Sequence, residues 1–204
     1  MKTRLFIVRH AQSVAQERGI VQGRGLDVPL SEEGMRQAAR AAECLKGEKF
    51  HAIYASNAIR SIETARAIRA FHPDVPYTEL PELVERSKGI AEGLSRDEFR
   101  ARWPDIQAEW DREEDARPPE GENFEDVHHR VLPVIERHVA EHGPDKTILY
   151  VIHGNVNRVL LGHMLGVPFR LQPRIDQGYC AINMAEYDHD RKRWQVTCVN
   201  RLPE

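Results

Sequence analysis

The chain has 204 residues, of which 41% are hydrophobic and 30% charged, and this composition predicts one folded domain and excludes a mainly disordered chain. A net charge of −3 leaves no basic excess with which to bind nucleic acid or an anionic membrane. The three cysteines are widely spaced, and the N-terminal apolar run of four residues is too short for a signal sequence or a membrane span. We therefore expect a cytoplasmic protein.

Alternating strands and helices are predicted for the first third of the chain. A strand over residues 4–10 is followed by a loop over residues 19–29 and by a helix that Ser31 caps. A second strand over residues 51–56 and a second helix over residues 58–71 come next. Helical spacing predicts that the two helices bury Met35, Ala38, Ala39, Ala42 and Leu45, and then Ile59, Ile62, Ala65 and Ile68.

The central segment interrupts this alternation. Two prolines restrict residues 75–83 to an edge strand at best. Ser95 and Glu98 have the spacing of a capping box, which predicts the start of a short helix. Nine acidic residues face only two arginines between positions 109 and 126. We therefore expect a helical and acidic lid insertion around residues 94–126.

The last third of the chain continues the alternation and then changes pattern. Asn123 caps a long helix, and the most apolar strand of the chain, over residues 147–152, precedes another helix. Residues 179–187 and 194–200 flank a polar turn and predict an antiparallel hairpin. The whole order predicts one α/β domain over residues 1–204. It should have three layers, α/β/α, around a mostly parallel central sheet, with the antiparallel hairpin at its C-terminal end.

Two of the predicted strands end in a histidine, at His10 and at His153. Functional groups gather at the carboxyl ends of strands in an open α/β sheet, so both imidazoles can meet in one crevice. Arg9 adjoins His10, and Arg60 lies just beyond the second strand, where a helix begins. Two guanidiniums, two imidazoles and a helix N-terminus form a site for a tetrahedral dianion. A phosphoryl group is the natural ligand.

Five sequence blocks carry a family resemblance, and they are VRHAQS, QGRGLDVPLSEEG, YASNAIRSIETA, LVERSKGIAEG and VIHGN. In this order they resemble the motifs of the histidine phosphatase superfamily, also called phosphoglycerate mutase-like. VRHAQS is similar to the R-H-G signature of that superfamily, and VIHGN is similar to its second-histidine block. The resemblance covers nearly the whole chain, and it implies a phosphoglycerate mutase-like fold.

The resemblance also implies roles for five residues. His10 would be the nucleophile that forms a phosphohistidine, Arg9, Arg60 and His153 would hold the phosphoryl oxygens, and Glu85 would be the proton donor. A neutral imidazole can attack phosphorus when a hydrogen bond holds its other ring nitrogen, and neighbouring arginines disfavour the imidazolium. The carboxyl group of Glu85 must begin the reaction protonated and then act as a base towards water. This arrangement requires no metal, and we expect no cofactor.

Further residues are predicted to contact the substrate. Lys88 replaces the aromatic residue that is common in this motif and puts a cation near the leaving group, and Gln16 stands where the family often has Asn. Ala11 replaces the Gly of the first motif. The complete set of predicted substrate-binding residues is Ser13, Gln16, Gln22, Gly23, Arg86, Lys88, Gly154 and Asn155.

We expect the chain to hydrolyse a small phosphorylated metabolite, and two alternatives stay open. A cofactor-dependent phosphoglycerate mutase shares the phosphohistidine step, and Arg86 and the H-G-N triplet are mutase-like. The acidic lid favours the phosphatase, because negative side chains disfavour a second anionic ligand. A non-catalytic relative that binds phosphate ligands is the other alternative, although neither the nucleophile nor the acid is lost here.

Ten histidines also raise the hypothesis of a metallohydrolase. His128 adjoins His129, and His138 and His142 have the i, i+4 spacing that can bind a metal on a helix. No H-E-x-x-H motif or cysteine ligand accompanies them, so a surface helix with histidines near its C-terminal end is the favoured interpretation. The expected partners are therefore the small phosphorylated metabolite and, in a homodimer, a second copy of the chain, with neither nucleic acid nor membrane.

Overall fold

A computed structural model describes residues 1–112 and 115–203, with the side chains of residues 109–111 left undescribed. Its strands are β1 (Lys2–Arg9), β2 (Ala52–Ser56), β3 (Tyr77–Leu80), β4 (Thr147–Ile152), β5 (Ile182–Asp188) and β6 (Arg193–Arg201). Its helices are α1 (Val14–Glu17), α2 (Glu32–Leu45), α3 (Ile59–Arg69), α4 (Arg96–Arg102), α5 (Pro104–Arg112), α6 (Phe124–His142) and α7 (Gly154–Leu165).

The strands form one sheet in the order β3-β2-β4-β1-β5-β6. The first four strands in this order run parallel, and β5 pairs antiparallel with both β1 and β6. The prolines that flank β3 place it at an edge of the sheet, as expected. The mostly parallel sheet with a C-terminal antiparallel hairpin is therefore confirmed. The hairpin strand begins at Ile182 rather than at Tyr179, because Tyr179 and Cys180 form a turn in which Cys180 has a φ of 55°.

Alternating side chains of β1 pack on opposite faces of the sheet, because successive residues of a strand point to opposite sides. Leu5 and Ile7 pack among apolar residues of α6 and α7. Phe6 and Val8 pack among apolar residues of α2 and α3. Helices therefore cover both faces, which confirms the three-layer α/β/α architecture.

The buried face of α2 differs from the predicted one. Met35 is 57% exposed and Ala39 is exposed, whereas Gly34 and Ala41 are buried. The reason lies at Gly34, where an added Cβ would stand only 1.9 Å from the carbonyl oxygen of Gln12. The helix rests on the loop after β1 through its glycine face, and this contact turns Met35 and Ala39 towards solvent.

The first turn of α3 also departs from the prediction. Ile59 is 38% exposed and Ile62 is only partly buried, while Arg60 and Thr64 are buried. Apolar periodicity could not find this face, because its inward side chains near the N-terminus are polar. They line the site described below.

The predicted lid region contains α4 and α5. The Ser95 and Glu98 capping box opens α4 as expected, and α5 agrees with the helical character that is expected of this region. Of the acidic residues in this region, Glu113 and Glu114 lie outside the described residues. Three other carboxylates form ion pairs with arginines, in the pairs Asp115 with Arg86, Glu122 with Arg130, and Asp126 with Arg117. Within the described part of the chain, none of the helices combines the length and the apolar composition of a membrane span.

Candidate active site

Both site histidines follow neighbouring parallel strands. Arg9, the last residue of β1, is in register with Ile152, the last residue of β4. The backbone N–H of His10 donates to the carbonyl oxygen of Ile152 at 2.8 Å, and His153 is the next residue along the chain. The two imidazole centroids are 5.1 Å apart, and both side chains are buried. The expected meeting of His10 and His153 at one edge of the sheet is thus observed.

The ring of His10 is held in one orientation. Its Nδ1 lies 2.7 Å from the carbonyl oxygen of Ala11, and only a protonated Nδ1 can donate a hydrogen bond to that acceptor. The lone pair of the neutral ring is then on Nε2. Burial, followed by the positive charges of Arg60 and Arg9, lowers the pKa of His10 well below its usual value. This shift favours the neutral ring near pH 7.

Arg9 is held by two contacts and lies beside the N-terminus of α7. Its Nη1 donates to the carbonyl oxygen of Gln177, and its guanidinium stacks on the ring of Tyr179 at 4.2 Å. Gly154 lies so close that an added Cβ would stand 3.2 Å from Arg9 Nε. The glycine therefore leaves room for the guanidinium at the start of the helix, where backbone N–H groups favour an anion.

Arg60 enters the site from the first turn of α3 and is 1% exposed. Its Nη2 donates to the carbonyl oxygen of Gly23 at 2.9 Å, and its Nη1 lies 3.8 Å from the carboxylate of Asp27. Thr64 supports this turn, since its hydroxyl donates to the Arg60 carbonyl and accepts from the Ala11 backbone N–H. Gly23, which is predicted to bind substrate, thus positions Arg60 through its backbone carbonyl. Thr64 is not among the predicted site residues, although it lies in the YASNAIRSIETA block.

Several buried polar atoms around His10 have no hydrogen-bond partner among the described residues. They are Arg9 Nε, Arg60 Nε, Arg60 Nη1, His153 Nδ1 and His153 Nε2. Burial, followed by the charge of Arg60, lowers the pKa of His153 well below its usual value. Buried polar groups are normally paired, and guanidinium donors without acceptors are able to bind an anion.

Glu85 stands at the edge of the same site and joins two segments. One carboxylate oxygen accepts the backbone N–H of Arg86 at 2.8 Å, and the other accepts the backbone N–H of Asn155 at 3.4 Å. The carboxylate is partly buried. Glu85 therefore faces the N-terminal turn of α7. This contact brings two predicted site residues, Glu85 and Asn155, together.

The carboxylate of Glu92 connects the loop near Gly23 with the segment that carries Glu85. It accepts the backbone N–H groups of Arg24, Gly25 and Lys88 at 3.1, 2.7 and 2.7 Å. It also accepts the hydroxyl of Ser87 at 3.3 Å. Its oxygens are thus used to hold two loops together, a function that the sequence did not reveal.

Three of the predicted substrate-binding residues, Ser13, Gln16 and Gln22, are connected by hydrogen bonds. The hydroxyl of Ser13 donates to the side-chain oxygen of Gln22 at 2.8 Å, and the Gln22 amide donates to the Leu26 carbonyl at 2.9 Å. The side-chain oxygen of Gln16 accepts the backbone N–H of Ser13 at 3.1 Å, which closes the capping box of α1. These side chains shape the loop that carries Gly23.

Arg86 and Lys88 lie close in sequence but have different surroundings. The Arg86 guanidinium donates to the carbonyls of Glu122 and Ala116 and pairs with Asp115 at 3.5 Å, so it fastens the lid region. Within the described chain, no hydrogen bond or ion pair reaches Lys88 Nζ. Burial, followed by the nearby charge of Arg86, lowers the pKa of Lys88 to about 8.

The surface-helix interpretation of the other histidine motif is wrong for His138, which is buried within the packed layers. His138 stacks on Tyr54 with centroids 4.0 Å apart and contacts the hydroxyl of Tyr150 at 3.0 Å, while His142 contacts the hydroxyl of Tyr54. Burial lowers the pKa of His138 to about 4. Across residues 1–112 and 115–203, no three His, Cys, Asp or Glu side chains are grouped so that they could hold a metal ion.

Comparisons with known proteins identify the family of the chain. A model of the histidine phosphatase superfamily (branch 1) matches residues 5–200. A 2,3-bisphosphoglycerate-dependent phosphoglycerate mutase of Rhizobium etli is 36% identical over 165 residues, which cover 76% of this chain and 77% of that protein. The fructose-2,6-bisphosphatase TIGAR B of Danio rerio is 34% identical over 68% of this chain and 56% of its own length. A mycobacterial glucosyl-3-phosphoglycerate phosphatase structure superposes with a TM-score of 0.87 at 26% identity, covering 98% of this chain and 99% of its own.

Proposed function

Because the chain belongs to the histidine phosphatase superfamily, we propose that it is a phosphomonoester hydrolase that works through a phosphohistidine at His10. One observation carries the proposal. The unpartnered buried nitrogens of Arg9, Arg60 and His153 surround an imidazole whose free nitrogen is Nε2. A phosphoryl group accepts hydrogen bonds from all of these groups and offers its phosphorus to that nitrogen.

In the first step, His10 Nε2 attacks the phosphorus and the bond from phosphorus to the ester oxygen breaks. Glu85 gives its carboxyl proton to that oxygen, so that the leaving group departs as an alcohol. Arg9 and Arg60 neutralise the charge on the oxygens in flight, and His153 and the N-terminus of α7 hold these oxygens in place. The positive charges that keep the imidazole neutral therefore also stabilise the transition state.

In the second step, water attacks the phosphohistidine. The Glu85 carboxylate takes a proton from the water, the bond from phosphorus to nitrogen breaks, and its electron pair returns to Nε2. Ser13, Gln16 and Gln22 contribute by shaping the loop whose Gly23 carbonyl orients Arg60. The steps balance with water as the only second substrate, so the proposal includes no metal or cofactor.

From the cysteine content we also propose a cytoplasmic location, and the homodimer stays a prediction.

A phosphoglycerate mutase is the second candidate, because the Rhizobium etli relative is a mutase. The structure also weakens the argument that an acidic lid repels a second anion. The carboxylates of Asp115, Glu122 and Asp126 are paired with arginines, so their charges are largely neutralised. The distinction between the two activities rests on whether water or a phosphorylated acid reaches the phosphohistidine first.

The test measures phosphate release and phosphoglycerate isomerisation side by side, over a panel of monoesters that includes 3-phosphoglycerate and sugar phosphates. The proposal predicts that phosphate release exceeds isomerisation for every substrate and that His10→Ala abolishes both. Isomerisation that outpaces phosphate release, with 2,3-bisphosphoglycerate as a required activator, would establish the mutase instead. If the natural chain binds phosphate ligands but turns over none of the monoesters, it is the non-catalytic relative.

A further inference from the structure

The guanidinium of Arg130, on α6, holds the segment that carries Glu85. Its Nη1 donates to the carbonyl oxygens of Glu82 and Val84 at 2.7 and 2.9 Å. Its Nη2 donates to the carbonyl oxygen of Glu85 at 3.3 Å and to the carboxylate of Glu122 at 3.0 Å. Its Nε donates to the other carboxylate oxygen of Glu122 at 3.2 Å. A guanidinium has five N–H groups in a fixed fork, and Arg130 uses all of them here.

The backbone around Glu85 depends on donors from outside its own segment. Residues 84–88 lie in neither a helix nor a strand, so no regular pattern of backbone hydrogen bonds satisfies their polar groups. Two consecutive carbonyl oxygens, those of Val84 and Glu85, accept from the Arg130 fork. The path of this irregular segment is therefore set by a side chain of α6.

Glu122 fixes both the guanidinium and the same segment. Its carboxylate accepts the backbone N–H of Ser87 at 3.0 Å, and its own backbone N–H donates to the Ser87 carbonyl at 3.1 Å. The side chains of Arg130 and Glu122 are only 19% and 14% exposed, so solvent screens this ion pair less than a surface pair. The pair thus holds residues 82–87 along most of their length.

The carboxylate of Glu85 itself has weaker support. Its bond at 2.8 Å comes from the backbone N–H of Arg86, the next residue in the same segment, whereas the bond from the Asn155 N–H of α7 is 3.4 Å long. The position of the carboxylate therefore follows the backbone that carries it. A general acid must lie within hydrogen-bond reach of the leaving oxygen, and a displacement of about 1 Å can cost about 10²-fold in rate.

We propose that Arg130 is a positioning residue that places the carboxyl group of Glu85 against the ester oxygen, and that Glu122 holds Arg130 in this orientation. The inference rests on the proposed function, because Arg130 then contributes only to the steps in which Glu85 transfers a proton. The sequence analysis predicts neither Arg130 nor Glu122 as part of the site. Loss of Arg130 should therefore impair proton transfer and spare the arginines that bind the phosphoryl group.

The rate of phosphohistidine formation, measured by rapid quench with two types of ester, tests this inference. In Arg130→Met an alkyl monoester should react about 10- to 100-fold more slowly, because its leaving alkoxide needs the misplaced acid. An aryl ester of an acidic phenol, which leaves unaided, should keep its rate, and vanadate should bind as tightly as before. Equal slowing of both esters, or an unchanged alkyl rate in the folded variant, would overturn the inference.

A double variant shows whether Arg130 acts through Glu85. The acid is already lost in Glu85→Gln, so the addition of Arg130→Met should slow the alkyl ester by no more than about twofold further. A residue that only stabilised the fold would add its own loss to that of Glu85→Gln. Additive losses would therefore contradict the inference.

Conservative variants separate the fork of Arg130 from its charge, and they serve equally if Arg130→Met does not fold. Arg130→Lys keeps the charge but has three donors on one nitrogen, so it should show most of the loss with the alkyl ester. Full activity in Arg130→Lys would overturn the inference, because charge alone would then suffice. Arg117→Met, whose guanidinium pairs with Asp126 in the lid region, is the matched control and should leave both rates unchanged.

The two proposals fail in different ways. If neither ester phosphorylates the natural protein, the proposed function is refuted. If both esters phosphorylate it and the Arg130 variants react as fast as the natural protein, only the role of Arg130 is refuted.

Discussion

The imidazoles of His10 and His153 meet edge to face with centroids 5.1 Å apart, and each is buried at the carboxyl end of one of two adjacent parallel strands. Two imidazolium charges at this separation would repel each other and the nearby guanidiniums. Burial and these positive neighbours lower the pKa of both rings and so favour their neutral form. The positive charge of the site comes from Arg9 and Arg60, which have buried donors without a hydrogen-bond partner among the described residues.

The first prediction concerns Arg60. Arg60→Ala should lower kcat/KM by roughly 10² to 10³, because it removes preorganised donors from the oxygens in flight. Vanadate binding should weaken in parallel, and circular dichroism should show that the fold is retained. Arg69→Ala, on the same helix but outside the site, is the control. A rate within twofold of the natural protein would remove Arg60 from the mechanism.

A second prediction uses the space at Gly154. The Cβ of Gly154→Ala would stand 3.2 Å from Arg9 Nε, and contacts to Gln177 and Tyr179 restrict the movement of the guanidinium. We expect roughly tenfold weaker vanadate binding, since small displacements of a positioning group are costly. The matched control is Gly47→Ala, whose Cβ meets no atom within 4 Å. Equal affinity in both variants would show that Arg9 does not hold the phosphoryl group.

The third prediction is a titration of the two site histidines. Burial and positive neighbours lower the pKa of both His10 and His153, so each ring should stay neutral as the pH falls through 6.5. Bound vanadate adds negative charge and should raise the pKa of at least one ring, and Arg60→Ala should raise both. Imidazole nitrogen chemical shifts in NMR spectra report these states. A ring of the free protein that titrates at or above pH 6.5 would contradict this description of the site.

The fourth prediction separates proton donation from phosphate binding. In Glu85→Gln the arginines and histidines remain, so vanadate should still bind. With an alkyl monoester the phosphorylation step should lose roughly 10² to 10⁴ in rate, because the leaving alkoxide then lacks a general acid. With an aryl ester of an acidic phenol the initial burst should survive, while hydrolysis of the phosphohistidine slows.

Burst measurements with both ester types, at matched saturation, decide this question. An equal loss of the burst with both types would mean that Glu85 does not donate the proton. Glu92→Gln is the informative comparison, because Glu92 holds loops through four hydrogen bonds and its loss should slow both ester types alike.

The sequence predicts much of this site because the site depends on strand ends. An apolar strand followed by a histidine is visible in the residue order, and parallel strands bring such ends together, so His10 and His153 could be paired before any coordinates. Arg60 could be placed on the helix that follows β2 for the same reason. The family resemblance then supplied Glu85, which no local pattern marks.

Other features depend on contacts between distant segments. The polar inner face of α3 and the exposed Met35 of α2 follow from packing against the candidate active site and against the loop after β1. Apolar periodicity therefore predicted the wrong residues there. The functions of Glu92 and of Arg86 follow from backbone groups far away in the sequence. Residue spacing carries no information about such partners.

The most direct test of the account is the identity of the phosphorylated atom. Rapid quench of the natural protein with labelled monoester should trap an acid-labile, base-stable phosphoryl group, close to one per chain, and peptide mapping should place it on His10. Phosphorus NMR of the trapped protein should assign it to Nε2, since Nδ1 is held by the Ala11 carbonyl. His10→Ala should trap none. A phosphoryl group on any other residue, or turnover that persists in His10→Ala, would contradict the account.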